Sequence, residues 1–437
     1  MAPPSRLAPG PAVTRGARVG LRVQGRAVEA YEGETVGAAL HASGERVLMR
    51  SIKYHRPRGL FCNTGKCAGC LMRIDGEPNV RACVTPVRDG MKVEHQNAFP
   101  SARRDFFGIV DKVYRRNLDM HEKFTRPRPL AWIFNAIARR MAGFGRIPDT
   151  RPLRRPAIRR EEVDVLVVGG GPAGLAAAQA AAQAGASVLL VEEADRVGGT
   201  LLLHPDGAAR AGELVTRLRE GGARVLERSV AVGVYLTDGV GNALRPPGLV
   251  AVMTPERMVD AHAKALVVAS GYHETPPLLP GNDLPGVMGT RAALVLLHRH
   301  GVVPGARVAF AGAGPLTARA RLDLANAGCE VLDGAVSEVW GGTRVEGAIV
   351  GGEKRHLDLV LAAGDETPRI ELLQQAGARL VARGNAPGPA LDGCATSVTG
   401  VFAAGSVAAS RMALDERLAM GARAGEAAAA HARSVRA

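Results

Sequence analysis

The first hundred residues alternate apolar and polar positions in short runs, which is the pattern of β-strands with one buried face. ARVGLRVQGRAVEAYEG predicts two strands joined by a tight turn, and TVGAALHASG predicts a short helix with Thr35 at its start and Gly44 just beyond its end. LMRID and VRAC predict a second hairpin around a turn at Gly76-Glu77-Pro78-Asn79, and MKVEH completes the sheet. Residues 17–96 are therefore predicted to form a small β-grasp domain.

From Val163 onward, strand-like buried runs alternate with alanine-rich helix-like runs, which indicates a parallel sheet covered by helices. Two segments have the same form, VDVLVVGGGPAG and RVAFAGAGPLTA: a strand, a glycine-rich turn and the start of a helix. The repeat predicts an α/β fold with two doubly wound, disulfide-reductase-like dinucleotide-binding lobes, the second inserted in the first. Residues 161–281 and 359–437 are assigned to the FAD/dinucleotide-binding domain, and residues 282–358 to a degenerate NAD-binding-like inserted domain.

Residues 97–160 form a basic connector, predicted to be helical in its middle and interrupted by RPRPL and DTRPLRRP. Between Ser101 and Arg160 there are 16 Lys/Arg and 5 Asp/Glu residues, which contribute +11 to the net charge of +14. No recognised nucleic-acid-binding motif accompanies this charge, so no nucleic-acid partner is expected. The connector is interpreted as an arm that docks on an acidic partner, or as a solvated face. The candidate docking anchors are Phe106, Phe107, Tyr114, Trp132 and Phe134.

The 437 residues contain no run of about 18 apolar residues, and the start of the chain lacks the apolar core of a secretory signal. The apolar stretch from Pro129 to Gly145 is short and is interrupted by Arg139 and Arg140, so no direct membrane insertion is expected. Four of the six cysteines fall within 22 residues. Clustered cysteines in a chain without a signal peptide indicate metal ligation in a reducing compartment, which predicts a cytoplasmic protein.

The clustered cysteines have the spacing C-x4-C-x2-C-x12-C. They are Cys62, Cys67, Cys70 and Cys83. Gly65 and Gly69 let the loop of the first three cysteines wrap closely around inorganic sulfides, and the fourth cysteine follows the second hairpin. This is the spacing of plant-type [2Fe–2S] proteins. The alternative, a structural zinc site, normally uses paired C-x2-C units or a histidine pair, so we predict a [2Fe–2S] cluster.

Five basic residues flank the first cysteines of this loop. They are Lys53, His55, Arg56, Arg58 and Lys66. Positive charge beside a cluster favours its reduced, more negative form, so one hypothesis is that these residues raise the reduction potential. The alternative is that they are solvated loop charges.

The first glycine-rich turn has the dinucleotide-binding pattern G-x-G-x-x-G at Gly169, Gly171 and Gly174, directly after a strand. Such glycines permit the tight turn, the approach of a pyrophosphate and close packing of the helix. The next strand ends at Glu192, whose carboxylate is placed to accept hydrogen bonds from an adenosine ribose. Gly199, in EEADRVGGTLL, belongs to a further glycine pair that flavoprotein lobes often contain. The alternative is a lobe of the same shape that binds no ligand.

The second glycine-rich turn is a weaker match. It contains Gly312 and Gly314, but Thr317 replaces the third glycine, and the following strand ends in Asp333 without a clear ribose-binding pattern. We therefore favour a vestigial lobe over a working NAD(P)H site.

The remaining residues do not predict a substrate-oxidising site. Cys329 and Cys394 stand alone in apolar or turn contexts and are interpreted as buried inert thiols. No Ser-His-Asp, paired-carboxylate or H-E-x-x-H arrangement is present, so no catalytic residue is assigned.

These segments together resemble the α-subunit family of heteromeric sarcosine oxidases, opine oxidases, D-hydroxyproline and proline dehydrogenases, and hydrogen cyanide synthase. The resemblance is carried by RSIKYHRPRGLF before the cluster, AGFGRIP in the connector, VGGGPAGLAAA, VVASGYHETPPLLPGNDLPGVM and GVFAAGSVAA. These segments extend over most of the chain from about residue 17.

The resemblance implies that an amino-acid-oxidase-like β subunit carries a flavin and oxidises the amine, and that electrons then pass to this chain, with FMN as a further candidate at the interface. It implies FAD, or a non-redox NAD or ATP, on the first glycine-rich turn, with Gly405 of the late Ala-Gly pair nearby. Where many flavoproteins have an aspartate after that pair, this chain has Ser406. Because the chain ends at Ala437, no folate-binding region is expected.

We therefore predict the iron–sulfur, nucleotide-binding, electron-transfer subunit of a multi-subunit amine or amino-acid dehydrogenase or oxidase. It would oxidise a C–N bond to an imine in a partner flavin subunit, remain inactive alone, and pass electrons to a small-molecule acceptor or an electron carrier. Two alternatives stay open: a self-sufficient NAD(P)H-dependent flavin and iron–sulfur oxidoreductase, and a non-catalytic scaffold subunit with a structural nucleotide.

Overall fold

The computed structural model describes residues 5–8, 15–52, 54–109, 111, 132, 135–136, 156–204, 206–238, 240–364, 366–384 and 386–435. The chain divides into two compact units. The first unit is Met1–Pro152 with Pro276–Gly364, and the second unit is Leu153–Thr275 with Asp365–Ala437. Most of the predicted connector lies outside the described residues, including Tyr114, Phe134, Arg139 and Arg140.

The amino-terminal part of the first unit is a five-stranded sheet in the order β2-β1-β7-β5-β6, with a separate β3-β4 pair. Its elements are β1 (Arg18–Val23), β2 (Arg26–Tyr31), α1 (Val36–Ala42), β3 (Met49–Arg50), β4 (Pro57–Arg58), β5 (Leu71–Ile74), β6 (Glu77–Arg81) and β7 (Lys92–Glu94). Alternate residues of β1 are buried, as its sequence pattern predicts. Helix α1 is capped by the Thr35 hydroxyl, which accepts a hydrogen bond from Ala38 N at 3.2 Å. The predicted β-grasp domain is confirmed, and it is called the cluster domain below.

The second hairpin differs from the prediction in its turn. Strand β6 already begins at Glu77, which pairs with Ile74, so the predicted turn at Gly76-Glu77-Pro78-Asn79 was placed too late. The turn is Asp75-Gly76, and both residues have positive φ (49° and 82°), as a two-residue hairpin turn requires. Pro78 is tolerated in β6 because this strand lies at the edge of the sheet.

The rest of the first unit is the second lobe, a parallel sheet in the order β15-β21-β16-β17 beside an antiparallel sheet β18-β19-β20. Its strands are β15 (Val287–Gly289), β16 (Arg307–Ala311), β17 (Glu330–Val331), β18 (Val336–Trp340), β19 (Gly347–Val350), β20 (Glu353–His356) and β21 (Leu359–Ala362). Its helices are α4 (Thr290–Leu294), which continues as a π-helical turn over Val295–Arg299, and α5 (Thr317–Asn326). Ala309, Val339, Ala348 and Val360 are among the residues that form the core between the two sheets.

The cluster domain is bound to the second lobe within the first unit, which the sequence did not predict. Gly289 N donates to Phe61 O at 2.9 Å, and Arg58 forms an ion pair with Asp283 at 2.9 Å. The buried His41 ring donates from Nε2 to the Pro304 carbonyl at 2.7 Å. Burial, and then the nearby Arg46, hold the pKa of His41 well below its ordinary value, so this contact is made by a neutral ring.

The second unit contains a seven-stranded sheet in the order β10-β9-β8-β13-β12-β11, and the seventh strand, β25, pairs with the carboxyl-terminal end of β13. Its strands are β8 (Ala157–Val168), β9 (Val188–Val191), β10 (Arg224–Leu226), β11 (Val230–Tyr235), β12 (Leu249–Met253), β13 (Arg257–Val268) and β25 (Val401–Ala403). Its long helices are α2 (Pro172–Gln183), α3 (Gly207–Glu220) and α7 (Leu414–Ser434). Strands β8, β9, β10, β13 and β25 are mutually parallel, as in a doubly wound lobe.

Shorter elements complete the second unit and mark where the second lobe is inserted. They are β14 (Tyr272–Glu274), β22 (Glu366–Pro368), α6 (Glu371–Gln375), β23 (Leu380–Arg383) and β24 (Ala386–Pro389). The chain leaves the second unit after β14 and returns at β22, and these two strands pair with each other. The predicted α/β fold, with one lobe inserted in the other, is confirmed.

Helices α2 and α7 approach each other closely because two glycines of α7 face backbone carbonyls of α2. A Cβ added at Gly421 would lie 2.1 Å from Ala173 O, and one at Gly425 would lie 2.1 Å from Ala177 O. Helix α7 thereby covers α2, which carries the first glycine-rich turn at its start. No described helix is long and apolar enough to cross a membrane.

Candidate functional site

The four clustered cysteines lie on two segments of the cluster domain. Cys62, Cys67 and Cys70 are on the loop between β4 and β5, and Cys83 is in the short helical turn Ala82–Val84 after β6. Cys70 and Cys83 are buried, whereas the other two are half-buried. All four are free thiols.

The cysteine loop is wound tightly, and one glycine on it is required by a close backbone approach. A Cβ added at Gly69 would lie 2.6 Å from Gly59 O, so a larger residue would force the backbone at Gly69 away from the backbone at Gly59. The Cys67 Sγ would lie 3.7 Å from the same Cβ. Helix α1 also packs closely against Cys83, because a Cβ added at Gly37 would lie only 3.0 Å from the Cys83 Cα.

The four sulfurs form a chain of contacts in the order Cys67, Cys62, Cys83, Cys70. Hydrogen bonds from the Cys67 and Cys83 thiols hold the pKa of Cys62 far below its ordinary value, and the same contacts raise the pKa of both donors. A hydrogen bond with Cys83 also lowers the pKa of Cys70. The sulfurs are therefore close enough to serve as one ligand set when they are ionised.

Backbone N–H groups are also directed at these sulfurs. Thr64 N and Cys67 N donate to the Cys62 Sγ at 3.5 and 3.4 Å. Gly69 N–H donates to Cys67, and Cys83 N–H donates to Cys70; both contacts lower the pKa of the acceptor thiol. Donors of this kind stabilise negative charge on cluster sulfurs.

The geometry fits a binuclear cluster better than zinc. A structural zinc site gathers four ligands at about 2.0–2.3 Å from one ion. Such a site usually takes its ligands from paired C-x2-C units or a histidine pair, whereas these cysteines have the spacing C-x4-C-x2-C-x12-C. A [2Fe–2S] cluster instead distributes four thiolates over two irons, which suits a chain of contacting sulfurs on two segments.

Two of the basic residues near the loop are paired with carboxylates, and their effect on the reduction potential remains a hypothesis. Arg56 pairs with Asp111 at 3.0 Å, and Arg58 pairs with Asp283 at 2.9 Å. His55 is fully buried, with its Nδ1 2.7 Å from Asp105 Oδ2. Lys53 lies outside the described residues, and Lys66 has an interaction partner.

The first glycine-rich turn joins β8 to α2, and its three glycines have different roles. A Cβ at Gly169 (φ 106°) would lie 2.3 Å from Ala269 O, and one at Gly174 would lie 1.8 Å from Gly169 O, so both are required by the fold. Gly171 caps α2, and a Cβ there would meet no atom within 4 Å. The middle glycine thus keeps space open in front of the helix N-terminus, where a pyrophosphate fits.

Glu192 lies at the end of β9, directly beside this turn. Its Oε2 accepts from Gly170 N at 2.6 Å and its Oε1 accepts from Ala194 N at 2.8 Å. The side chain is only 9% exposed, so its charge is held at a defined place next to the turn. This is the position from which a carboxylate meets a ribose.

The two other predicted glycines pack on the same helix start. Gly199 (φ 52°) faces Gly171, since a Cβ on Gly199 would lie 2.8 Å from the Gly171 Cα. Gly405 (φ 74°) faces Ala173 of α2, with 2.7 Å between the two Cβ positions. The structure therefore brings all six predicted nucleotide-site residues around the start of α2.

A buried polar cluster beside Gly199 was missed in the sequence. Arg417 donates to the Thr200 hydroxyl at 3.2 Å, lies 3.7 Å from a Glu366 oxygen and covers the Tyr272 ring at 5.7 Å. All four residues are buried, and the Arg417 Nε has no hydrogen-bond partner. Arg417 lies in an ordinary amphipathic stretch, so no local pattern could have revealed it.

The second glycine-rich turn is arranged differently from the first. Gly314 N donates to the Thr317 hydroxyl at 2.8 Å, so the residue that replaces the third glycine is used to close the turn. Asp333, at the place of a ribose-binding carboxylate, is paired with Arg321. The assignment of a vestigial lobe remains a prediction.

The two isolated cysteines have the properties of inert thiols. Burial raises the pKa of Cys329 to about 11 and also raises the pKa of Cys394. Both therefore stay protonated at neutral pH.

Comparison with known proteins assigns both regions. Residues 16–98 match the family described as 2Fe-2S iron-sulfur cluster binding domain, and residues 164–228 match the family described as FAD dependent oxidoreductase. The chain is thus an iron–sulfur and FAD-binding oxidoreductase, and its cofactors are a [2Fe–2S] cluster and FAD.

Similar proteins indicate the family of oxidoreductases to which the chain is related. The chain is 33% identical over 315 residues to the sarcosine oxidase subunit alpha of Rhizobium meliloti, covering 67% of this chain and 32% of the relative. It is 44% identical over 85 residues to the hydrogen cyanide synthase subunit HcnA of Pseudomonas aeruginosa, covering 19% of this chain and 81% of the relative. The L-proline dehydrogenase of P. horikoshii superimposes with a TM-score of 0.71 at 26% identity, covering 96% of this chain and 73% of that one.

The chain belongs to the α-subunit family of the heteromeric sarcosine oxidases, opine oxidases and proline dehydrogenases. It spans about a third of the length of the sarcosine oxidase subunit that it matches.

Replacing Glu192 with glutamine is expected to weaken FAD binding about tenfold or more, because hydrogen bonds to a charged group contribute roughly 1.5–3 kcal/mol. Both carboxylate oxygens accept from backbone N–H groups, so the amide nitrogen of Gln would oppose one of these donors. FAD titration of the apoprotein measures the change. Glu213→Gln, on the exposed face of α3, is the control. Equal FAD affinity in the two variants would show that Glu192 does not serve the nucleotide site.

Proposed function

We propose that the chain is the electron-transfer subunit of a multi-subunit amine or amino-acid dehydrogenase or oxidase. A partner subunit that contains flavin and resembles amino-acid oxidases oxidises a secondary amine or amino acid to an imine. The electrons leave through the cluster held by Cys62, Cys67, Cys70 and Cys83. The FAD of this chain lies against Gly171 and Glu192.

One observation carries the proposal: a four-cysteine cluster loop and a dinucleotide turn occur together in a chain whose relatives are named as subunits of amine-oxidising enzymes. The polar cluster of Arg417 and Glu366 is the only buried charged pair found beside the dinucleotide turn among the described residues, and its carboxylate is already used by Arg417 and by Arg411 N. It offers no free base for an amine. The substrate site is therefore assigned to the partner.

The chain's own residues have two tasks. The four thiolates hold the cluster, which when bound accepts and releases single electrons. The N–H groups of Thr64 and Cys67 donate to the Cys62 sulfur and stabilise the extra negative charge of the reduced state. A plant-type cluster has a potential of about −400 mV, and such donors raise it toward the range in which an amine can supply electrons.

The nucleotide is held by backbone and charge. The first N–H groups of α2 and the positive end of its dipole face the space kept open by Gly171, which suits a pyrophosphate. Glu192 fixes the adjacent ribose and, through Gly170 N, the shape of the turn itself.

Docking on the partner is assigned to the basic connector, residues 97–160. Among its described residues Phe106 is 72% exposed and Trp132 is 71% exposed, whereas Phe107 is half-buried against the His55 ring. Exposed aromatic side chains and arginines are both enriched at the buried centre of interfaces, and this segment of the sequence is rich in both. FMN at the subunit interface, a small-molecule acceptor or electron carrier, and a cytoplasmic location complete the proposal.

The isolated chain is expected to show no amine-dependent dye reduction, and to gain it on co-expression with an amino-acid-oxidase-like subunit. The reason is that an amine must be held in contact with a flavin, and the partner supplies that pocket. Pull-down of the complex followed by dye reduction with sarcosine, proline, hydroxyproline and opines measures both properties. NADH is the matched control donor. Robust turnover of an amine by the isolated chain would refute the subunit assignment, and NADH-driven turnover would support the self-sufficient alternative.

A further inference from the structure

A cavity of about 570 Å³ lies in the first unit, between the end of α1 in the cluster domain and the second lobe. From the cluster domain it is lined by Gly44 and Arg46. From the second lobe it is lined by residues around the starts of β16 and β21 and by the loop that joins β18 to β19. We propose that this cavity binds a small organic oxyanion, a carboxylate or phosphate group attached to a flat apolar body.

The cavity is separate from the dinucleotide turn of the same lobe. Ala306 and Arg307 lie at the amino end of β16, whereas Gly312 follows its carboxyl end. Asp358 immediately precedes β21, which is parallel to β16, so it also lies at the amino end of the sheet. Dinucleotides bind at carboxyl ends, so a ligand here would be of another kind.

Two arginines in the cavity lack a carboxylate partner. Arg307 is paired with Glu330 at 2.8 Å, and both Asp358 oxygens accept from the N–H of Ala306. Arg46 donates to the His41 carbonyl. Neither Arg46 nor Arg344 forms an ion pair with another residue in the described part of the chain.

The two free guanidinium groups also act on each other. Burial is the largest cause that lowers the pKa of Arg46 to about 10. The Asp358 and Glu45 carboxylates oppose this change, whereas the positive charge of Arg344 adds to it. Two like charges in a partly dehydrated cavity are unfavourable, and an anion placed between them removes the repulsion. The geometry therefore favours an anionic ligand.

The remaining wall of the cavity combines apolar side chains with Glu346 and His356, and it contains a donor without a hydrogen-bond partner. Val345 and Leu357 are buried, and the Trp340 ring meets the His356 ring edge-on at 5.0 Å between centroids. The Trp340 indole N–H is buried and has no hydrogen-bond partner. A flat apolar ligand packs on this wall, and its oxyanion reaches Arg46 and Arg344. In small-molecule pockets of this size, apolar side chains usually bury the ligand and a few polar groups fix its orientation.

Isothermal titration of the full holoprotein with three probes tests the proposal. The probes are 1-naphthoate, 1-naphthyl phosphate and the uncharged 1-naphthalenemethanol. Saturable one-site binding of either anion supports the proposal and tells which oxyanion is preferred. Failure of both anions to bind, or equal binding of the uncharged probe, overturns it.

Variants locate the binding. Arg344→Met, on an exposed side chain of the loop, is expected to weaken binding of the anion about tenfold or more, and Arg46→Met is expected to do the same. The control is Arg210→Met, an exposed arginine on α3. Unchanged affinity in Arg344→Met overturns the proposal even if Arg46→Met fails to fold. Loss of binding in Arg210→Met as well would mean general charge attraction, which also overturns it.

Discussion

Replacing Cys70 with alanine is expected to abolish the cluster, so that iron falls from about two per chain to near zero and the red-brown absorbance disappears. Cys70 is 1% exposed and in contact with Cys83, so no neighbouring side chain can take its place as a ligand. Since cluster binding and folding are coupled, the cluster domain is also expected to lose thermal stability. Iron, acid-labile sulfide and zinc analyses of the purified protein measure the change.

The control is Cys329→Ala, which removes a buried thiol outside the ligand set and should retain both irons. Retained iron and sulfide in Cys70→Ala would show that the ligand set is wrong. Zinc without labile sulfide in the wild-type protein would contradict the cluster altogether.

Replacing Gly171 with valine is expected to eliminate FAD while leaving the fold intact. The backbone of Gly171 is extended (φ −75°, ψ −176°), which valine adopts readily, and the added side chain would enter the open space in front of α2. That space is where the pyrophosphate fits, so binding is lost by exclusion. FAD released by heat and measured by fluorescence gives the loading per chain, and circular dichroism checks the fold.

Two matched glycine variants make this result specific. Gly212→Val adds a side chain to α3 where a Cβ also meets nothing within 4 Å, and it should keep FAD. Gly174→Ala should fail to fold, because its Cβ would lie 1.8 Å from Gly169 O. Full FAD loading in Gly171→Val would mean that the nucleotide lies elsewhere.

Local sequence patterns predicted the elements that local chemistry determines. The Thr35 cap, the alternating burial of β1 and the glycine-rich turn before α2 were all predicted because each depends on neighbouring residues. The hairpin turn was misplaced because Pro78 was taken as a turn residue, whereas at the sheet edge its missing N–H costs nothing.

Features that depend on long-range packing could not be predicted. The docking of the cluster domain on the second lobe uses single contacts such as Gly289 N with Phe61 O, which no periodicity encodes. The pairing of Arg58 with Asp283 joins residues 225 positions apart, so the sequence could not show that the Arg58 charge is balanced by a carboxylate. Arg417 is a further case, since its partners come from three distant segments.

The most direct test of the electron-transfer proposal is anaerobic electron paramagnetic resonance of the cluster after addition of a secondary amine. We predict that the signal of a reduced [2Fe–2S] cluster appears in the complex with the flavin partner, and not in the isolated chain or in a complex made with Cys70→Ala. A complex that turns over amine and reduces dye while its cluster stays oxidised would contradict the proposed path.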